Sequence, residues 1–277
     1  MIPRAVYFLD RNAVSMVKEL NADPSRTYEG NLPKVELKAK LQKIDAEGNR
    51  ISPLLSVIEG EKGRLDTMEE KLACLEKESA ALAVYFTKAR TDADFVAKNL
   101  LLVAQAFSDP AIHGQWVEAR TNYLNAVFAD LVQPLAQDKR PAKQAEMLEL
   151  AKKHGLPIRD PVLVLSLACL HRGKAALALI KPSVAKPYNV LGDIDALCHR
   201  AWIEALLVQM FSSHPTLPKF EIVTGDKGLS GVESQVEFVA TILSEDGDVS
   251  FAVKYQPGLF GELGPEAAER LLLDLNR

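Results

Sequence analysis

Cysteine is scarce. The 277-residue chain carries three, Cys74, Cys169 and Cys198, an odd number set far apart. This excludes a disulfide framework, offers no zinc spacing, and points to buried thiols in a reducing compartment. The five histidines, His113, His154, His171, His199 and His214, also lack ligand spacing. Neither sign of charge dominates: 33 Lys and Arg stand against 37 Asp and Glu, for a net charge of −4. Any nucleic-acid contact must therefore come from a local patch. No apolar run is long enough to span a bilayer, and Met1-Ile2-Pro3-Arg4 leads straight into a short apolar stretch. No signal peptide and no membrane contact are expected, and the expected location is the cytoplasm. There is no internal repeat. What is present is an ordinary globular composition, 48% hydrophobic and 25% charged, which argues against disorder.

Ala5-Val6-Tyr7-Phe8-Leu9 suits a buried strand, and Asn12 to Leu20 a short helix. Val35, Leu37, Ala39 and Leu41 alternate with polar residues, the period of a half-buried strand. Turn chemistry at 45–49 and a return over 51–58 then predict a hairpin. From about 60 to 153 the pattern is helical, with breaks at Asp92, Asp109 and 134–141. Further helices are expected at 162–170, 175–180 and 193–211, and a second buried strand at 220–224. The runs 236–243 and 249–255 flank Glu245-Asp246-Gly247-Asp248, a hairpin signal, and Pro265 to Leu275 reads as a closing helix. The expected architecture is α/β, a mainly parallel sheet forming one domain over 1–277. It carries a helical insertion at 61–155, added hairpins, and a C-terminal hairpin and helix at 233–277.

Three segments carry chemistry. Phe8-Leu9-Asp10-Arg11-Asn12 puts an acid at the carboxyl end of a strand, where open α/β sheets bind ligands. Gly192-Asp193-Ile194-Asp195 opens a helix with an acid, and Ile222-Val223-Thr224-Gly225-Asp226-Lys227-Gly228 puts another acid past a strand. In this order the motifs resemble the PIN domain family, over roughly half of the chain. The resemblance implies a magnesium- or manganese-dependent nuclease, more often a ribonuclease, with RNA or single-stranded nucleic acid as partner. It implies Asp10, Glu59, Asp193 and Asp226 as catalytic metal ligands, with Asn12 and Thr224 in support. Glu61 is a substitute for Glu59, and Asp160 an alternative for the third acid. A protein partner on the helical insertion is a further expectation.

Several carboxylates crowded together repel unless a divalent ion neutralises them, and hard cations prefer oxygen. Each acid also has a plainer reading: Asp10 and Asp160 as helix N-caps, Asp226 as a turn residue, Glu59 as ordinary helix-end chemistry. Two basic runs, Lys34/Lys38/Lys40/Lys43 and Lys139/Arg140/Lys143/Lys152/Lys153, suit a solvated face or a phosphate track. Two other classes compete. One is a PIN-like interaction protein without activity. The other is a phosphatase of the haloacid dehalogenase type, which needs a general acid where this chain has Asn12.

Overall fold

The structure is a computed structural model that describes residues 3–60, 66–108, 110–182, 190–195, 197–198, 200, 218–243 and 249–275. The chain divides into two compact units. The first comprises residues 1–112, 198–226 and 240–251, and the second 113–197, 227–239 and 252–277. Where the sequence suggests one domain with a single helical insertion, its helices fall in both units.

The first unit is built on an all-parallel four-stranded sheet of order β3-β2-β1-β4. The strands are β1 (Ala5–Leu9), β2 (Asn49–Ser52), β3 (Arg90–Thr91) and β4 (Lys219–Val223). Crossovers pass through α1 (Arg11–Ala22), α2 (Leu32–Ile44), α3 (Leu54–Glu59), α4 (Met68–Tyr85) and α5 (Ala93–Ser108). The chain thus moves outward from β1 to β2 and β3, then returns to the far side of β1 as β4. This reversal makes the β1–β4 boundary a topological switch point, the place where such sheets open a crevice at their carboxyl ends.

The core explains the register. Leu9, Ile51 and Val223 pack with Val14 and Val17 of α1, Leu37 and Leu41 of α2, and Leu82 of α4. Buried aliphatics of this size contribute about 1.5–3 kcal/mol each. α4 opens with a full capping box, Thr67 and Glu70 each accepting from the other's backbone N–H.

One expected element is overturned. Residues 32–44 form helix α2, with Asn31 accepting from the Lys34 N–H as N-cap, so the hairpin over 35–58 does not exist. The alternation is misleading: the buried positions are Leu37, Leu41 and Ile44, at helical spacing, while Val35 is 44% exposed. The expected return strand is β2 followed by α3.

The second unit holds α7 (Arg140–Lys153), α8 (Pro161–Leu170), α9 (Lys174–Ile180), α11 (Lys227–Glu233) and α12 (Pro265–Leu275). The helical residues 190–195, designated α10, also lie there, and α6 (Pro110–Val132) falls almost wholly within it. β5 (Val236–Leu243) and β6 (Val249–Tyr255) pair as expected. Every residue from Val162 to Leu170 of α8 is buried. Packing between α9 and α11 leaves no room for a side chain at Gly228, where a Cβ would stand 2.4 Å from the backbone of Ala178 and Leu179. Cys169 is buried, while Cys74 and Cys198 are partly exposed. Among the described residues no single helix is long and apolar enough to cross a membrane.

Candidate active site at the carboxyl end of the sheet

β1 and β4 run side by side with Leu9 opposite Val223, and the Asp10 N–H continues the ladder by donating to the Val223 carbonyl at 3.2 Å. The next residue on each strand therefore reaches the same point. Asp10 is 1% exposed. Its Oδ1 accepts from the Ala13 N–H at 2.7 Å, which makes it the N-cap of α1. Its Oδ2 accepts from the Thr224 hydroxyl, and from the Asn12 amide at 3.3 Å. Thr224 Oγ1 in turn accepts from the Asp226 N–H at 2.8 Å. That bond leaves the hydroxyl proton to point at Asp10, so Thr224 is fixed as a donor by its own turn.

The electrostatics of Asp10 follow from this geometry. Burial pushes its carboxyl up from 3.8 to about 6. Thr224, Ala13 and Asn12 oppose the rise by bonding to the charged form, while the negative charge of Asp226 adds to it. Among the described residues no ion pair includes Asp10.

Glu59 is the last residue of α3. Its Oε2 accepts from the Arg11 N–H at 3.3 Å, one residue from Asp10, and the Arg11 guanidinium donates to the Gly60 carbonyl. Asp66 is an acid that sequence reasoning missed. It is 7% exposed, and its Oδ2 lies 2.8 Å from where a Cβ on Gly60 would stand. Nothing in Arg64-Leu65-Asp66-Thr67 marks it out, since it reads as a residue flanking a helix cap. Glu61 lies outside the described residues.

Asp193 and Asp160 belong to the second unit. Asp193 is half-buried in α10. Asp160 is the N-cap of α8, accepting from the Val162 N–H at 2.9 Å. Arg120 also holds it at 2.9 Å while reaching Asp195 at 2.8 Å. Asp160 thus has an internal counter-charge.

The carboxylates of Asp10 and Asp226 and the oxygen of Thr224 are donors of the kind a hard cation prefers, and Glu59 is held to Arg11, the residue that follows Asp10. Among the described residues no three His, Cys, Asp or Glu side chains are grouped closely enough to hold an ion alone. Magnesium does not require such a cage, because it keeps several waters and binds through one or two carboxylates plus substrate phosphate. A carboxylate offers roughly four lone-pair positions, and Asp10 uses three of them.

Five of the nine residues in the basic runs have internal partners. Lys34 and Lys40 pair with Glu19 and Glu221, and Lys38 donates to the Arg26 carbonyl. Lys143 pairs with Asp130 and Glu146, and Arg140 with Glu262. His171 is buried and bonds Gln144, and burial holds its pKa down at about 4. It behaves as a neutral structural group. Comparison with protein-family models, with curated proteins and with solved structures finds no match.

Proposed function

We propose that the chain is a metal-dependent nuclease of PIN-like type, with RNA as its substrate and magnesium or manganese as its cofactor. The observation that carries the reading is the Asp10–Thr224–Asp226 constellation at the switch point of the sheet. It is a buried carboxyl pressed by a second carboxyl and given no cation among the described residues. Asp10, Asp226 and Glu59 are the proposed ligands in the first unit. Asp193 is the proposed third acid of the family pattern, and Asp160 is set aside because Arg120 already neutralises it. A bound divalent ion supplies a water acidified toward neutral pH and neutralises charge growing on the phosphate. Thr224 orients Asp10 by donating to it, and Asn12 holds the same oxygen from the side. The Asn12 amide has no acidic proton to give, which disfavours the phosphatase reading.

One observation favours a second reading, a PIN-like interaction protein without activity: Asp10 is also a fully formed helix cap. Incubation with single-stranded RNA and manganese separates the two. The wild type should cut, and Asp226→Asn should not, while keeping its circular dichroism spectrum and melting temperature. Asn suits the same turn positions as Asp, so it removes only the charge. Undiminished cleavage by Asp226→Asn would remove Asp226 from the site. A wild type inert toward RNA and DNA alike would put the interaction reading first.

A further inference from the structure

A groove of about 600 Å³ opens at the other end of the same sheet, lined by Arg50, Lys88, Arg90, Phe95, Lys98 and Asn99. Two acids, Glu47 and Asp94, also line it. Arg50 is met by Asp92, Nε to Oδ1 at 2.5 Å. Lys88, Arg90 and Lys98 enter no ion pair among the described residues. Positive charge is therefore in excess here.

Two further features point to an anionic ligand with a flat ring. Arg50 and Arg90 stand side by side in the β2–β3 register. Asp92 answers Arg50, which leaves the Arg90 charge for a bound anion. Phe95 is 51% exposed in the first turn of α5. Lys98 follows three residues later, the helical spacing that puts ring and ammonium on one face. The helix kinks at Asn99, whose amide donates to the Phe95 carbonyl at 2.9 Å. The exposed ring is thus carried on backbone fixed from within.

We propose that this groove binds single-stranded nucleic acid, with Lys88, Arg90 and Lys98 on successive phosphates and a base stacked on Phe95. A basic track beside an exposed aromatic ring is how single strands are held without sequence preference. A duplex keeps its bases stacked and could not use Phe95, and one nucleotide could not occupy three spaced cations. The groove lies at the amino ends of the strands, about 17 Å from the Asp10 end for a five-residue strand. It is a holding surface apart from the cleavage site. The inference rests on the nucleic-acid part of the proposed function and not on cleavage.

Fluorescence anisotropy with a labelled oligouridylate of about 12 nucleotides, within the usual range of single-strand site sizes, tests it. EDTA in the buffer keeps cleavage out of the measurement. Arg90→Glu with Lys98→Glu should weaken binding at least tenfold and flatten the log–log salt slope by roughly 1.4, about 0.7 for each lost phosphate contact. Phe95→Ala should weaken binding about tenfold and keep the slope. Lys38→Glu with Lys40→Glu, outside the groove and already engaged by internal partners, should bind as the wild type does. No binding at low salt, or groove variants that bind normally, would overturn the proposal. So would uridine monophosphate competing on equal terms with the oligonucleotide, or heparin competing equally while Phe95→Ala has no effect. Normal binding without cleavage would sink the nuclease reading and leave the groove standing.

Discussion

Asp10 and Asp160 begin alike, each an acid that opens an apolar helix, and the two units of the protein treat them in opposite ways. Both are almost fully buried, at 1% and 4% exposure, and both are N-caps. Asp160 receives a guanidinium from Arg120, shared with Asp195. Asp10 receives only neutral donors, and a second acid raises its cost. A buried charge is tolerated when paired and penalised when not. Capping is common to the two residues and so does not tell them apart. Among the described residues, it is the lack of a cation that distinguishes Asp10.

Removing the cation from the balanced site should have the largest effect. Arg120→Met takes the guanidinium from Asp160, and breaking a buried pair in this way costs about 3–5 kcal/mol, measurable by urea unfolding. A loss under about 1 kcal/mol, the range of exposed pairs, would show that Asp160 needs no partner and would erase the contrast.

Removing the charge from the unbalanced site should do the reverse. The folded protein holds the Asp10 proton up to about 6, against an ordinary 3.8. Its contribution to stability is therefore fully present below 3.8 and lost as pH rises through about 6. Without divalent ions, Asp10→Asn should be more stable than the wild type near neutral pH by about 2–3 kcal/mol, since each tenfold change in proton affinity is worth about 1.4 kcal/mol. The fall in stability between acid and neutral pH should flatten in the variant. Manganese should raise the melting temperature of the wild type and not of Asp10→Asn. Equal manganese shifts in the two proteins would place the ion elsewhere.

The smallest effect concerns cations that already have partners. Lys38→Glu with Lys40→Glu should cost under about 1 kcal/mol, as half-exposed pairs do, and leave oligonucleotide binding unchanged. A marked loss of binding would move the nucleic-acid surface from the β2–β3 groove to α2.

Much of this is legible in the chain. β1, β4, the β5–β6 hairpin, α8 and α12 announce themselves by apolar runs, a Gly-Asp turn or a leading proline. α2 does not, because Val35, Leu37, Ala39 and Leu41 satisfy a period of two while burying at a period near four. β2 and β3, at four and two residues, are too short to show any period. The parallel pairing of β1 with β4 joins residues more than 200 apart, as with Thr224 and Asp10 at a separation of 214. Sequence order suggests that they meet, and only the register fixes which atoms touch. The neutralised state of Asp160 is not legible at all, since Arg120 lies 40 residues away with no local signal.

Gly228 sits two residues after Asp226, and the backbone of Ala178 and Leu179 leaves no space for a side chain there. On the proposed function, the Gly-Asp-Lys-Gly segment carries two independent messages, one chemical and one steric. Mutation can erase either without the other. A descendant that replaced Asp226 and kept Gly228 would retain the α9–α11 packing and forfeit the chemistry, whereas one that replaced Gly228 would have to rebuild that packing whatever it did at Asp226. Under the proposed nuclease reading, keeping both residues preserves site and packing together, and keeping Gly228 alone preserves only the packing.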